Sequence, residues 1–112
     1  MSHENLPILF AGVEHRTWVM AFVASLNGLR EPPPLDPHSS RFGAWLVREG
    51  LAGRATPPAL LIIAALHQQI HALAAELLDL QTLNRASKAL ARLGELYVLR
   101  DRLQVHLAGL LR

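Results

Sequence analysis

The chain has 112 residues, 51% of them hydrophobic, and its 11 basic and 9 acidic side chains give a formal charge of +2 at pH 7. This length is enough for one compact domain with its own core, and no change of composition marks a second, so we predict a single domain over residues 1–112. The basic residues are scattered rather than gathered in a stripe, so no nucleic-acid partner is expected.

The sequence indicates neither disulfide bonds nor a membrane-spanning segment. There is no cysteine, which excludes disulfides, iron–sulfur clusters and thiolate zinc sites. The first residues lack the basic cluster of a signal peptide, and the longest charge-free run, residues 55–75, contains prolines, glutamines and histidines that argue against a membrane span. We therefore expect a soluble, cytoplasmic protein without a membrane partner.

The first predicted helix begins at an asparagine cap, Asn5, and extends to about residue 29. Apolar residues recur along it at spacings of three and four, the pattern of a helix with one buried face. His15 lies in this buried stripe, whereas Glu14 should point outward, away from it. An Asn-Gly pair closes the helix, and the proline-rich segment 31–37 prevents its continuation. The stripe comprises Ile8, Ala11, His15, Trp18, Phe22 and Leu26.

A short second helix is predicted over residues 38–50, where serines supply the N-terminal cap and Gly50 the end. Its residues Phe42, Trp45 and Leu46 should be buried. Gly43 among them indicates close packing against another segment. This helix should therefore lie tightly against the two longer ones that flank it in the sequence.

The third predicted helix has the strongest signal: a Thr56 cap, prolines in the first turn, and a run of strong helix formers to about Leu80. His67 and His71 are four residues apart, so their imidazoles share one face of the helix. Both histidines should point into the core because the rest of that face is apolar. Its other members are Leu60, Ile63, Ile70, Ala74, Leu77 and Leu78.

The last predicted helix begins near Thr82 or Asn84 and continues to the end of the chain as one amphipathic element. Its apolar arc reaches Leu107, Leu110 and Leu111, which is more surface than a small bundle covers by itself, so we expect a homodimer. The buried stripe is expected at Ala86, Leu90, Leu93, Leu96, Tyr97, Leu99, Arg100, Leu103, His106, Leu107 and Leu110.

These segments are the elements of an all-α protein, an antiparallel four-helix bundle with a short additional helix. In such a bundle His15 from one helix meets His67 and His71 from another. A buried imidazole without a partner loses its hydrogen bonds to water at a cost of roughly 1–3 kcal/mol, so three of them need an explanation. Either they are core histidines bonded to backbone or glutamine neighbours, or they bind a metal, most readily Zn²⁺.

Three motifs bear on this choice: His15-Arg-Thr-Trp18, Ser40-Arg-Phe-Gly43-Ala-Trp45-Leu46, and His67-x-x-x-His71. In combination and spacing they resemble the chemoreceptor zinc-binding domain family, found in bacterial chemoreceptors and diguanylate cyclases, over nearly the whole chain. The resemblance implies a homodimeric four-helix bundle in which His15, His67 and His71 bind one Zn²⁺. It also implies that zinc occupancy, or oxidation of a cysteine ligand, changes the activity of an attached signalling output domain.

The chain departs from the family pattern at Ser40, where the family has its cysteine. A serine hydroxyl is not ionised near neutral pH and is a poor zinc ligand, so water, a carboxylate, another histidine or nothing completes the site. The neighbours in reach are His38 and Asp36. We expect weaker zinc binding than with a thiolate, no thiol redox chemistry, and competition by protons near the ordinary histidine pKa of roughly 6.5.

The sequence thus predicts a non-enzymatic, zinc-binding sensory or regulatory domain that acts on an output domain or partner protein in bacterial signal transduction, as in chemotaxis or diguanylate cyclase regulation. The alternative is a structural dimerisation bundle whose degenerate histidine site holds no metal. Catalysis lacks support because Glu14 should face away from the histidines and Glu76 lies beyond His71 along the helix. No paired carboxylates appear either.

Overall fold

A computed structural model describes residues 6–48 and 58–111, and within them the chain is all-helical with no strand. The predicted caps Asn5 and Thr56 and the predicted helix end at Gly50 lie outside the described residues. The long helices pack together around one apolar core, so the all-α prediction is confirmed. The helices are α1 (Leu6–Leu26), α2 (Arg41–Leu46), α3 (Pro58–Thr82), α4 (Ala86–Ala91) and α5 (Leu93–Ala108), and a 3-10 helical turn at Pro37–Ser39 precedes α2.

α1 buries the predicted face, from Ala11 through His15 to Leu26. It ends at Leu26, earlier than expected, because Gly28 adopts the left-handed conformation with a φ of 75°. The Gly28 amide then donates to the Ser25 carbonyl at 3.0 Å, and the next amide donates to the Ala24 carbonyl at 2.9 Å. These two bonds close the last turn in the way that a C-terminal glycine permits.

α2 begins at a serine cap, as predicted. The Ser40 hydroxyl accepts a hydrogen bond from the Gly43 amide at 2.9 Å, and the three apolar residues Phe42, Trp45 and Leu46 are buried. A Cβ at position 43 would collide with the carbonyl oxygen of Pro37. The close packing expected of Gly43 is therefore confirmed, and it brings the 3-10 turn directly against α2.

α3 buries the predicted face, on which Ile63, Ile70 and Leu77 have no accessible surface. α3 has 25 residues and contains an 18-residue window of mean hydropathy 1.4, so by length and composition alone it could span a membrane. However, 50% of the apolar window is buried inside the chain, which also occurs in core helices of soluble proteins. Among the described residues α3 is the only helix that meets these length and composition criteria, and the compact fold is consistent with a soluble protein.

The C-terminal segment forms two helices, so the prediction of a single helix is wrong. Arg92 separates α4 from α5 because its backbone leaves the helical conformation, with φ at −99° and ψ at 2°. Its guanidinium bridges Glu76 of α3 at 2.8 Å and Glu95 of α5 at 2.7 Å. The break therefore coincides with ion pairs that hold α5 to α3.

The break also changes which residues are buried. In α4 the buried residue is Ala89, whereas the predicted Ala86 and Leu90 are exposed, so the predicted stripe is out of phase there. In α5 the predicted stripe is buried at Leu96, Leu103 and Leu107. The chain itself covers Leu107 and half-buries Leu110, whereas Leu111 is 37% exposed, so the apolar arc from which a dimer was expected is covered only in part.

Candidate metal centre

His15 of α1 and His67 and His71 of α3 come together in the core. Only 1%, 2% and 2% of their surfaces are accessible. The ring centroids of His67 and His71 are 4.5 Å apart, and those of His15 and His67 are 6.3 Å apart. Phe42 of α2 packs against His15 at 5.1 Å and against His67 at 5.0 Å. Three helices therefore build the cluster.

Three of the six ring nitrogens of the cluster lack hydrogen-bond partners within the described residues. Within the described residues neither nitrogen of His15 is bonded, and Nε2 of His71 has no partner either. Nδ1 of His71 lies 2.6 Å from the carbonyl oxygen of Leu35. Because a carbonyl oxygen can only accept, Nδ1 carries the hydrogen and Nε2 keeps a free lone pair. Metal-binding histidines are commonly oriented in this way.

Trp18 holds the segment that orients His71. Its indole N–H donates to the Pro34 carbonyl at 2.9 Å, and its ring centroid lies 4.2 Å from that of His71. Since Leu35 follows Pro34, one tryptophan fixes both the imidazole and the carbonyl that it bonds. Sequence reasoning missed the Leu35 carbonyl, because a backbone acceptor places no constraint on the residue type.

Burial favours the neutral form of all three imidazoles. It lowers the pKa of His15 from 6.5 to about 4 and that of His67 from 6.5 to about 3, and repulsion from His71 adds to each effect. Burial lowers the pKa of His71 as well, while the bond to Leu35 and the charge of Asp36 act in the opposite direction. Neutral imidazole is the form that binds metal. Protons should therefore compete for His15 and His67 at a lower pH than the range near 6.5 expected from the sequence.

Ser40 lies beside the imidazoles, but its hydroxyl is committed to the backbone. It accepts from the Gly43 amide at 2.9 Å and donates to the Pro37 carbonyl at 3.0 Å, whereas Nε2 of His67 is 3.4 Å away. The long contact is the weakest of the three. Ser40 therefore serves as a helix cap, and the lone pair of His67 is not consumed by it.

The other two candidates for a fourth position, Asp36 and His38, are exposed. The Asp36 carboxylate caps the 3-10 turn by accepting from the His38 amide at 2.9 Å and from the Ser39 hydroxyl at 3.4 Å. Its charge still reaches the cluster, since it raises the pKa of His71. Of the three candidates, Ser40 is the one buried at the site.

The three imidazoles fit zinc in their chemistry and come near it in spacing. With Zn–N bonds of about 2 Å and tetrahedral angles, imidazole centroids stand about 5 Å apart around one ion. The observed centroid separations of 4.5 and 6.3 Å bracket that value. In the described part of the chain no group of three His, Asp or Glu side chains stands in metal-binding geometry. For the three imidazoles to share one ion, His15 would have to move toward α3.

A cleft of about 540 Å³ connects the cluster with the surface between α1, α2 and the proline-rich segment. The three histidines and Ser40 line it together with Glu14. Glu14 also pairs with Arg41 at 3.4 Å. Glu14 therefore borders the cleft, and its carboxylate is turned to Arg41.

Fold and site together define an all-helical protein with a buried cluster of three histidines at a surface cleft. Comparisons with models of protein families, with curated proteins and with solved structures found no match for this chain. The resemblance to the chemoreceptor zinc-binding domain family thus rests on the sequence motifs alone.

Proposed function

We propose that the chain is a non-enzymatic, zinc-binding sensory or regulatory domain, in which His15, His67 and His71 hold one Zn²⁺ inside an antiparallel four-helix bundle. The observation that carries this proposal is the lack of partners for the ring nitrogens of His15 and His71 in the core. Each unpartnered polar group costs roughly 1–3 kcal/mol, and coordination removes that cost. A bound Zn²⁺ supplies a reversible cross-link between helices.

Occupancy would be transmitted as a change in helix packing. The ligands lie on α1 and α3, whereas α1 otherwise packs mainly on α2 and α5. Drawing the His15 ring from 6.3 Å to a spacing of about 5 Å from His67 moves α1 relative to α3 by on the order of 1 Å. Packed helices respond to such displacements as bodies. A signalling output domain or a partner protein in the cytoplasm would respond to this shift, and the resemblance supports a chemoreceptor or a diguanylate cyclase.

The metal itself is tested by calorimetric titration of metal-free protein with Zn²⁺ and by elemental analysis after purification without chelator. We expect one Zn²⁺ per chain. Replacing any one of His15, His67 or His71 by alanine should weaken binding about 100-fold or more, because three ligands become two. His106→Ala, on α5, is the matched control and should leave zinc binding unchanged. A wild-type chain that takes up no zinc would overturn the proposal.

The second candidate function is a structural dimerisation bundle with a metal-free histidine cluster. The observation that favours it is that, in residues 6–48 and 58–111, no group of three side chains stands in metal-binding geometry. It predicts that zinc changes neither the unfolding temperature nor the amide hydrogen exchange of α1 and α3. The sensory proposal predicts that zinc slows exchange in both helices.

A homodimer is part of the proposal, and the outer face of α1 supports it better than the last helix does. On this face Leu6, Phe10, Val13 and Met20 are exposed at spacings of four, three and seven residues, as in a coiled-coil seam. Phe10 is 64% and Met20 is 72% exposed. Since the other face of α1 is already buried in the core, this helix is apolar on both sides, which is typical of a helix covered on both sides.

Light scattering at micromolar concentration tests the dimer. We expect the wild type to give a dimer mass and Phe10→Glu to give a monomer, because a charge would be buried in the seam. Val98→Glu, on the exposed side of α5, is the matched control and should stay dimeric. A monomeric wild type would contradict the proposal of a dimer. If only the Val98 variant is monomeric, the interface lies on α5 and not on α1.

No catalytic role is proposed for the cluster. The nearest carboxylate on the cleft, Glu14, is paired with Arg41, and Glu76 is paired with Arg92. Burial lowers the pKa of His15 to about 4 and that of His67 to about 3, which makes these imidazoles weak general bases near neutral pH. The geometry therefore supports binding better than catalysis.

A further inference from the structure

We propose that the metal-loaded centre takes a small organic carboxylate from solution as an additional ligand, bound in the cleft that reaches the histidines. This inference rests on the proposed function, because the carboxylate binds to the metal. It would make the domain a sensor of two signals, the metal and a carboxylate, rather than of zinc alone.

The first step is the ligand count. Three histidines supply three neutral nitrogens, and tetrahedral zinc takes four donors. The Ser40 hydroxyl has given its hydrogen to Pro37 and accepts from Gly43, so it is a poor fourth donor. Asp36 caps the 3-10 turn with both carboxylate oxygens. Among the described residues neither Ser40 nor Asp36 is free to serve as the fourth donor, so an ion held by three neutral imidazoles would keep its full +2 charge.

The second step is access. The same cleft of about 540 Å³ is lined by His15, His67 and His71, so an ion held by these imidazoles would lie at the wall of the cleft, although the rings themselves are nearly inaccessible. Nε2 of His71 has no hydrogen-bond partner among the described residues, and only 2% of the surface of His71 is exposed. A cleft of this size matches the lower range of cavities that hold small molecules.

The third step is the chemistry of the walls. Trp18, Pro33, Pro34 and Phe42 give the cleft an apolar side. Arg30 and Arg41 also line it, against one carboxylate, Glu14. A cleft with a net positive lining around a dication selects anions, and its apolar side selects an anion with a hydrophobic body. A carboxylate with an aromatic or aliphatic group has both properties, whereas inorganic phosphate has only the charge.

Cobalt-substituted protein tests this, because the visible bands of Co²⁺ report both that the metal is bound and that its ligands change. Acetate, benzoate and inorganic phosphate are titrated separately. We expect acetate and benzoate to change the bands, benzoate with an affinity about tenfold higher because its ring contacts the apolar side. Phosphate should be the weakest of the three. Calorimetry with the zinc-loaded protein should return the same order.

The variant Arg30→Gln should weaken benzoate binding about twofold to fivefold while leaving cobalt binding unchanged, since Arg30 contributes charge and no ligand. Arg102→Gln, on α5 and away from the cleft, is the matched control. Cobalt that binds with bands indifferent to all three anions overturns this inference and leaves the proposed function standing. Bands that respond to phosphate but not to carboxylates, or benzoate that binds the metal-free protein equally well, also overturn it. Failure of cobalt and zinc to bind at all removes both proposals together.

Discussion

Replacing His15 by leucine should stabilise the metal-free protein and abolish its zinc binding. His15 is 1% exposed, neither of its ring nitrogens has a partner among the described residues, and Phe42 lies against it. A leucine of similar volume removes an unpaired polar group and keeps the apolar contacts. The expected gain in the free energy of unfolding is roughly 1–3 kcal/mol at neutral pH.

The gain in the free energy of unfolding of His15→Leu over wild type should grow as the pH falls. The pKa of His15 is lowered from 6.5 to about 4 in the folded state, so between these values the unfolded chain binds more protons than the folded one. Wild-type stability is therefore lost as pH falls below the unfolded pKa, and the loss is complete near the folded pKa. At pH 5 this amounts to about 2 kcal/mol, by which the advantage of His15→Leu should increase.

Urea unfolding followed by circular dichroism, at pH 7.5 and at pH 5 with chelator present, measures the effect. His106→Leu, the same substitution at a half-buried position on α5, is the control. With zinc at 100 times its dissociation constant, the wild type should gain about 2.7 kcal/mol and the variant nothing. A metal-free His15→Leu protein less stable than wild type by 1 kcal/mol or more would refute the reasoning, because it would mean that the imidazole makes favourable contacts.

Three further outcomes are expected. First, zinc affinity should stay nearly constant from pH 7.5 to about pH 5.5 and fall below that, because the pKa values of His15 and His67 are lowered to about 4 and about 3. Competition with a chromophoric chelator measures this affinity. A steep fall near pH 6.5 would contradict the burial of these two histidines. Second, Gly43→Ala should lower the free energy of unfolding by about 2 kcal/mol or more, since the new Cβ meets the Pro37 carbonyl. Thermal unfolding measures this loss, and Gly94→Ala, where the space around the Cβ is open, is the control. Third, Ser40→Cys should bind zinc more tightly than wild type. Ser40→Ala should lose about 1 kcal/mol of stability, because the helix cap is missing, and should still bind zinc. If calorimetry shows that the alanine variant no longer binds zinc, the serine oxygen is a ligand.

Features that depend on helical periodicity could be predicted from the sequence. The spacing of three and four residues placed His15 on the buried face of α1 and both other histidines on the buried face of α3. The serine cap and the tight packing at Gly43 followed from local chemistry, which the sequence records directly. Together these gave the helical class and the three residues that meet in the core.

Features that depend on contacts between distant segments could not be predicted from the sequence. Arg92 breaks the last helix while pairing with Glu76, which precedes it on another helix, and no local pattern indicates that partner. The carbonyl of Leu35 that orients His71 is equally invisible in the residue types. The exposed stripe on α1 was overlooked for a different reason: the helix is apolar all round, so the buried face obscured the second one.

The position of Trp18 gives the protein its own optical reporter. The indole lies 4.2 Å from the ring of His71, close enough for a change in the state of the imidazole to alter its emission. Protonation or metal coordination of an imidazole in van der Waals contact changes the electric field at the indole. The sequence has only two tryptophans, and the second, Trp45, packs 5.5 Å from Phe42, so in a Trp45→Phe protein all tryptophan emission would come from Trp18. Its emission would follow occupancy of the histidine cluster in real time, without a dye and without perturbing a ligand.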